Sequence, residues 1–191
     1  MRVTDSVARQ LHDFGFRGCT SVEQSVVGGC AHLLSFLGSD TMSAGYYAQF
    51  HLNRGVPVAQ SIPATEHSVM TAWPNEKDAI LNMIHHYGTG TFACVMDSYD
   101  YQGALDKVLP AVAAEKVKKG GFMVLRPDSG DAVEAVLAGL RAADKCFGSE
   151  TNAKGYKCVF NAYCSCNFLM LASLPQKGEG RGCDPGRRHQ L

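Results

Sequence analysis

The chain has 191 residues, enough for a domain with a substantial buried core, and apolar residues make up 46% of it. Lysine plus arginine and aspartate plus glutamate number 18 each, so composition gives no electrostatic argument for a nucleic-acid partner or a membrane surface. No apolar run approaches the ~20 residues of a membrane-spanning helix, and the first residues lack the unbroken apolar stretch of a signal peptide. We therefore expect a cytoplasmic protein.

Predicted helices and strands alternate from residue 22 to residue 147. The helices have apolar side chains at helical spacing, and the strands are short apolar runs without alternation. Strands of this kind are typical of a parallel sheet that helices cover on both faces. The sequence predicts helices at 22–37, 76–87, 101–118 and 132–146, and strands at 56–62, 91–96 and 122–125.

The repeated strand–helix unit indicates the fold class. Strand ends recur about every thirty residues, the length of one strand–helix–strand unit. We predict an α/β fold, and several consecutive units favour part of a (β/α) barrel over an open sheet. The predicted segment covers residues 1–157, and a compositionally different tail covers 158–191.

A cluster of polar side chains follows each predicted strand. The carboxyl ends of parallel strands converge on one rim, where ligands bind. Each cluster has an alternative explanation, because Asp-Ser before a helix is an ordinary N-cap and Glu-His can be a satisfied buried pair. Three clusters favour a site, and their arginine, histidine and aspartates suit a phosphorylated sugar with Mg²⁺. The clusters are Thr65-Glu66-His67-Ser68, Asp97-Ser98-Tyr99-Asp100 and Arg126-Pro127-Asp128-Ser129-Gly130.

The eight cysteines fall into two groups. The first group stands among apolar or small residues, which predicts reduced thiols. The second group lies in the tail, without a CxxC pair or a histidine at zinc-finger spacing, and this disfavours a zinc site. Because the tail is rich in Cys, Gly, Arg and Pro without apolar periodicity, we expect it to lack regular structure. The groups are Cys19, Cys30, Cys94 and Cys146, and Cys158, Cys164, Cys166 and Cys183.

An ordered series of motifs runs along the chain from residue 11 to residue 157. The first is Leu11-His12-Asp13-Phe14-Gly15-Phe16-Arg17-Gly18. The later motifs are Ala31-His32-Leu33, Gly38-Ser39-Asp40-Thr41, Ser61-Ile62-Pro63-Ala64-Thr65-Glu66-His67-Ser68, Thr71-Ala72-Trp73, Glu76-Lys77-Asp78-Ala79, Asp97-Ser98-Tyr99-Asp100, Arg126-Pro127-Asp128-Ser129-Gly130 and Asn152-Ala153-Lys154-Gly155-Tyr156-Lys157.

This series resembles the nicotinamide phosphoribosyltransferase family, whose LHDFGxRG signature is similar to the first motif. Each motif is weak alone, but the series with near-family spacing is specific and covers 11–157. The resemblance implies a type II phosphoribosyltransferase fold and a homodimer.

The resemblance implies a pentosyltransferase of NAD biosynthesis and salvage. It would join nicotinamide to 5-phosphoribosyl 1-diphosphate and release nicotinamide mononucleotide and diphosphate, with Mg²⁺ and with ATP as a stimulating co-substrate. Two alternatives stay open. One is a nicotinate phosphoribosyltransferase, which Asp40 disfavours. The other is a non-catalytic truncated relative that binds a full-length subunit, which is compatible with the same residues.

The resemblance also implies roles at the base end of the substrate site. Phe14 would stack on the pyridine ring, and Asp40 would accept a hydrogen bond from the carboxamide NH₂ and repel a carboxylate. Arg126 would reach the amide oxygen, and Ser61 is a further substrate-binding residue.

At the phosphate end the resemblance implies that Arg17, His67 and Arg126 bind the diphosphate. Asp128 would hold the ribose hydroxyls, and Asp97 is the candidate Mg²⁺ ligand. His67 and Asp128 are the candidate catalytic residues, and His67 matches the histidine that the family phosphorylates from ATP. We expect Asp40, His67, Asp97, Arg126 and Asp128 to face one rim.

Two departures from the family pattern concern the ends of the sequence. The chain begins close to the LHDFG signature, whereas the family has a substantial region before it. After Lys157 the family's Gly-Asp-Gly motif and glycine-rich phosphate loop are not found. We therefore expect an incomplete fragment that, by itself, binds a phosphoribosyl ligand weakly and turns over little.

Overall fold

The computed structural model describes Ala8 and residues 11–151, 157–159 and 162–164. The chain forms two compact units, one up to Ser61 and the other from Ile62 onward. Among these described residues, no helix is long and apolar enough to cross a bilayer.

Over residues 11–61, the first unit contains a short parallel strand pair and two α-helices. The strands β1 and β2 pair through two residues each, and Gln60 adds an isolated parallel bridge to Gly38. Helix α1 begins where the Ser21 side chain accepts a hydrogen bond from Gln24 N at 3.1 Å, which satisfies one of the unpaired N–H groups of the first turn. The elements are β1 (His12–Asp13), a 3-10 turn (Gly15–Gly18), α1 (Val22–Leu33), β2 (Gly38–Ser39), α2 (Met42–Tyr47) and a π-helical turn (Ala48–Leu52).

A parallel sheet of order β3-β4-β7 forms the centre of the second unit. Strands β3 and β4 pair over five residues, and β4 and β7 pair over three. Most residues of β3 and β4 are buried, as expected for strands covered on both faces. The strands are β3 (Thr91–Val95), β4 (Phe122–Arg126) and β7 (Ala162–Cys164), and a separate antiparallel pair consists of β5 (Ser149–Thr151) and β6 (Lys157–Val159).

Five helices accompany this sheet in the described part of the second unit. Side chains of Asn75 and Asp131 cap the two longest regular helices, and Asp131 accepts hydrogen bonds from both Val133 N and Glu134 N. The helical run 101–119 contains a π-helical segment in its middle, and Tyr101 at its start donates a hydrogen bond to Ala135 O at 2.8 Å. The elements are α3 (His67–Thr71), α4 (Glu76–Tyr87), α5 (Tyr101–Gly103), the π segment (Ala104–Val108), α6 (Leu109–Lys119) and α7 (Ala132–Phe147).

The core of the second unit lies between the sheet and these helices. Phe92 is fully buried, and burial of a side chain of this size stabilises the fold by about 2–3 kcal/mol. Other fully buried apolar side chains are Met70, Ile80, Val95, Met96, Leu105, Leu109, Val112, Met123 and Leu125.

One lysine also lies in this core. The Lys116 side chain is fully buried, and its Nζ donates hydrogen bonds to Gly88 O at 3.3 Å and to Gly120 O. Nζ also lies 5.8 Å from the centre of the Phe92 ring, within cation–π range. Burial lowers the pKa of Lys116 to about 8, because the interior disfavours its charged form.

The sequence predicted most of the second unit correctly. The helix at 76–87 is confirmed, and every later predicted helix and strand up to residue 147 is confirmed to within one residue at each end. The predicted helix at 22–37 is too long, because α1 ends at Leu33. The chain then turns so that Gly38 and Ser39 pair with β1.

The predicted strand at 56–62 is wrong. Within the segment, Gln60 forms an isolated bridge with Gly38, and Ala64 beyond it forms another with Ala93. Pro57 and Pro63 have no N–H to donate to a ladder, and this explains why apolar content did not give a strand here.

The α/β class is confirmed by the parallel sheet and its covering helices. Beyond the predicted boundary at residue 157, β7 adds a parallel strand to β4, so regular structure continues into the first part of the predicted tail. The side chains of the tail cysteines lie outside the described residues. Of the other four, Cys94 is buried and the rest are half-buried, all as free thiols.

Candidate functional site

The second unit brings together four polar side chains that we call the histidine cluster: His67, Asp97, Ser98 and Asp128. His67 Nε2 lies 3.3 Å from Asp128 Oδ2 and 3.9 Å from Asp97 Oδ1. On the other side of the ring, His67 Nδ1 lies 3.1 Å from Ser98 Oγ. The imidazole therefore has a hydroxyl on one nitrogen and carboxylates on the other.

Asp97 connects the ends of two neighbouring strands. Its Oδ2 accepts hydrogen bonds from Asp128 N at 2.9 Å and from Ser129 Oγ at 2.5 Å. Only 5% of its side chain is exposed, against 47% for His67. Asp97 follows β3 and Asp128 follows β4, so this carboxylate fixes the loop after β4 against the end of β3.

The structure excludes the simple capping explanation for Asp97 and Asp128. Helix α7 is capped by Asp131, three residues after Asp128. The Asp97 side chain bonds to the loop after β4 instead of to the helix that follows it. Their carboxylates are therefore available for a role at the rim of the sheet.

Thr65 joins the His67 segment to the sheet. Its N donates to Ala93 O, and its Oγ1 accepts a hydrogen bond from Val95 N at 3.0 Å. Its carbonyl accepts a hydrogen bond from Arg126 Nη2 at 2.6 Å. The polar cluster after residue 64 is thus positioned by bridging to β3 rather than by the end of a strand of its own.

Two buried polar atoms near the rim have no hydrogen-bond partner in the part of the chain that the structure describes: Arg126 Nε and Asp97 Oδ1. An unused guanidinium donor suits a phosphate or carbonyl oxygen. A buried carboxylate oxygen without a donor suits a cation or a substrate hydroxyl.

Residues 11–151 and the shorter described segments contain no group of three or more His, Cys, Asp or Glu side chains placed to hold a metal ion. Mg²⁺ usually needs only one or two carboxylates together with substrate phosphates and water, so Asp97 fits such an ion as a single ligand. Glu76 is a further carboxyl group whose charge interacts with that of Asp97. Burial raises the pKa of Glu76, and the negative charges of Asp100 and Asp97 raise it further.

The first unit holds a second polar group, which we call the Asp40 group: His12, Phe14, Asp40 and Ser61. Asp40 Oδ2 lies 3.2 Å from His12 Nε2, and Oδ1 accepts a hydrogen bond from Ser61 Oγ. The His12–Asp40 contact is not an aligned hydrogen bond, since His12 Nε2 has no such partner among the described residues. The Phe14 ring lies 4.7 Å from the His12 ring at 35°.

The backbone of β1 and β2 places this group. Asp40 N donates to Asp13 O at 2.9 Å, which continues the parallel pairing of the two strands by one residue. Gly38 lies against the His12 ring, and a Cβ there would be 2.5 Å from His12 Nδ1. A glycine at this position therefore lets His12 reach Asp40.

Of the predicted site residues, the second unit brings His67, Asp97 and Asp128 together, with Arg126 bonded to the adjacent Thr65. Asp40, Ser61 and Phe14 belong to the first unit, as does the exposed Arg17 in its 3-10 turn.

Sequence reasoning gave no individual role to His12, Thr65 or Ser98. All three stand inside quoted motifs, beside residues that did receive a role. The signal was their position in those motifs, but the contacts that define them join residues 28–31 positions apart.

Comparison with known proteins identifies the family. The sequence model of the nicotinate phosphoribosyltransferase (NAPRTase) family matches residues 9–166. The chain belongs to this family. The match includes both the Asp40 group and the histidine cluster, and it extends nine residues beyond the boundary predicted at 157.

Three relatives in this family are each named nicotinamide phosphoribosyltransferase. The protein from Xanthomonas campestris pv. campestris (strain 8004) is 43% identical over 154 residues, which cover 78% of this chain and 32% of that protein. The one from Mycoplasma pneumoniae is 32% identical, covering 78% and 34%, and the one from Acinetobacter baylyi is 33% identical, covering 80% and 35%. The chain spans about a third of the length of the curated relatives it matches.

Proposed function

We propose that this chain carries part of the active site of a nicotinamide phosphoribosyltransferase. The reaction joins nicotinamide to 5-phosphoribosyl 1-diphosphate and releases nicotinamide mononucleotide and diphosphate. The observation that carries the proposal is the histidine cluster beside Arg126, in a chain whose family includes relatives named for this activity.

The Asp40 group supports nicotinamide as the base. A carboxylate can accept a hydrogen bond from a carboxamide NH₂, whereas it repels the carboxylate of nicotinate. The side chain of Asp40 is 36% exposed, so it is open to a ligand, and Ser61 and His12 keep it in place. Phe14 supplies an aromatic face for the pyridine ring. Nicotinate transfer is the alternative that this carboxylate disfavours.

Cationic and N–H groups support the diphosphate assignment. Arg126 has a buried Nε without a partner among the described residues, and Arg17 is exposed. His67 offers a half-exposed imidazole. Such donors stabilise a departing anion because they are already in place when its charge develops.

The chemistry needs positioning more than proton transfer. The ring nitrogen of nicotinamide has a free lone pair, so no base has to remove a proton from it. The ribosyl carbon becomes cation-like as diphosphate leaves, similar to the transition state of glycoside cleavage. Asp128 would bind the ribose hydroxyls, and Arg126 and His67 would bind the leaving group.

Mg²⁺ and ATP belong to the proposal as cofactor and stimulating co-substrate. Asp97 would hold Mg²⁺, which supplies positive charge to the diphosphate when bound. The exposed edge of His67 makes it the candidate for phosphorylation by ATP.

The proposal also includes a wider architecture. The β3-β4-β7 sheet would be part of a (β/α) barrel, and the active protein would be a homodimer. Exposed apolar side chains on the first unit, such as Leu34 and Met42, support an interface with a second copy.

A chimera tests this function. Residues 11–157 of this chain replace the matching segment of the Xanthomonas relative, and mononucleotide formation is measured with nicotinamide and with nicotinate. We expect turnover with nicotinamide, and loss of it in the same chimera with His67→Gln. A folded, dimeric chimera without turnover would indicate the non-catalytic relative, and preference for nicotinate would contradict the role of Asp40.

A further inference from the structure

We propose that Ser98 is the positioning residue for His67, and that its hydroxyl holds the imidazole in the Nε2–H tautomer with that N–H directed at Asp128. The positioning of His67 is inferred from the geometry alone, and only its consequence for phosphate binding rests on the proposed function.

The surroundings of Nε2 determine which nitrogen carries the proton. Two carboxylate oxygens lie within 4 Å of Nε2: Asp128 Oδ2 at 3.3 Å and Asp97 Oδ1 at 3.9 Å. Ionised carboxylates only accept hydrogen bonds. A bare Nε2 would bring a lone pair against the Asp128 carboxylate, so the geometry places the proton of a singly protonated ring on Nε2.

The other ring nitrogen then needs a donor. In this tautomer Nδ1 is an acceptor, and Ser98 Oγ lies 3.1 Å from it. A hydroxyl can rotate its proton toward such an acceptor. Ser98 therefore completes the hydrogen bonding of the ring and opposes rotation about the Cβ–Cγ bond.

Two features make this contact important. His67 is half-exposed and begins the short helix α3, so packing alone restrains its ring weakly. Ser98 comes directly after Asp97, whose carboxylate is bonded to the loop after β4. The backbone at Ser98 is therefore well fixed, and the hydrogen bond from Ser98 restrains the His67 ring.

The consequence deepens the proposed function. With Nε2 protonated, His67 presents a hydrogen-bond donor on the side where Asp128 lies. A donor there suits a phosphate oxygen, whereas a bare nitrogen would repel it.

Nitrogen NMR of the histidine rings of the whole chain tests the inference without turnover. His67→Gln assigns the signals of His67. In the unaltered protein we expect the Nε2–H tautomer with Nδ1 shifted as a hydrogen-bonded acceptor. Ser98→Ala should move Nδ1 toward the shift of a nitrogen that accepts no hydrogen bond, and Ser98→Thr should restore the original shift.

Matched variants separate the hydrogen bond from packing. Ser98→Cys keeps the side-chain size but donates only weakly, so it should behave as Ser98→Ala does. Ser68→Ala removes a neighbouring hydroxyl that bonds to Glu66 and should leave the His67 shifts unchanged. An Nδ1–H tautomer in the unaltered chain, or a Ser98→Cys spectrum identical to it, would overturn the inference. Neither result depends on the chimera's activity.

Discussion

The Asp40 group and the histidine cluster differ in how the fold holds them. Asp40 is 36% exposed and stands beside a strand pair of two residues per strand. Asp97 is 5% exposed, and its carboxylate is bonded to the loop that follows β4, a mostly buried strand. A change in the first group should therefore alter ligand choice with little cost to folding. A change in the second should affect both chemistry and stability.

Asp97→Asn should give the largest effect. The neutral amide replaces the charged acceptor of Asp128 N and Ser129 Oγ, so both hydrogen bonds weaken. We expect turnover of the chimera to fall by about a hundredfold or more, and the chain's free energy of unfolding to fall by about 1–3 kcal/mol. Asp106→Asn, at an exposed carboxylate of the same unit, is the control. Turnover within threefold of the parent would remove Asp97 from the site.

Thr65→Val tests whether the second unit holds the histidine cluster firmly. The variant keeps the shape but leaves the buried Val95 N without its acceptor, which costs about 1–3 kcal/mol in urea unfolding. Thr71→Val is the matched control, since Thr71 is exposed and its hydroxyl bonds to carbonyls of its own helix, and we expect a change within about 0.5 kcal/mol. Equal effects of the two substitutions would contradict the role of Thr65 in fixing the rim.

Asp40→Asn tests whether the Asp40 group determines the choice between nicotinamide and nicotinate. Relief of carboxylate repulsion should shift the ratio of turnover with nicotinamide and nicotinate toward nicotinate by on the order of tenfold. The midpoint of thermal unfolding should stay close to that of the parent. Glu23→Gln removes an exposed carboxylate from the same unit and should leave the base ratio unchanged. An unchanged base ratio would show that Asp40 does not read the carboxamide.

Lys116, in the core of the second unit, should make the free energy of unfolding depend on pH, and we expect this effect to be smaller than those above. Its folded-state pKa is about 8 against 10.5 for an ordinary lysine, so between these values the unfolded chain binds more protons than the folded one. The free energy of unfolding therefore gains a contribution that rises with pH through this window. Lys116→Met should lack this rise in urea unfolding measured across the same range, whereas the exposed Lys118→Met should keep it.

Cys94 does not obscure that comparison. Burial raises the pKa of its thiol from 9.0 to about 12, so its contribution to stability falls as pH rises through that interval. The thiol is present in all three proteins, and it cancels when each lysine variant is subtracted from the unaltered chain. A difference curve without slope would mean that Lys116 stays charged in the folded protein.

Local patterns were sufficient for much of the second unit. Helix α4 has its cap at Asn75 and an apolar face in its own sequence, and β3 is a continuous apolar run. The prediction of a strand at 56–62 failed because it relied on apolar content. Pro57 within the segment and Pro63 directly after it have no N–H to donate to a ladder. The early end of α1 depends on pairing between Gly38 and His12, which local spacing does not encode.

The same division applies to the candidate site. Motif resemblance named His67, Asp97 and Asp128, and the structure places them within hydrogen-bond or ion-pair distance of one another. It did not reveal that Ser98 faces Nδ1, because that contact depends on a side-chain orientation and a separation of 31 residues. Partners of functional groups are harder to predict than the groups themselves for this reason.

The π-helical segment Ala104–Val108 lies inside a longer helical run, so the number of residues in it sets how the two ends of that run are rotated relative to each other. Each residue of an α-helix turns the chain by about 100°, so removing one residue here would rotate everything before it by that amount relative to α6. Tyr101 would lose Ala135 O, and the loop that carries Asp97 and Ser98 would be twisted away from β4. Single-residue deletions in this helix should therefore be far more harmful than conservative substitutions at the same positions.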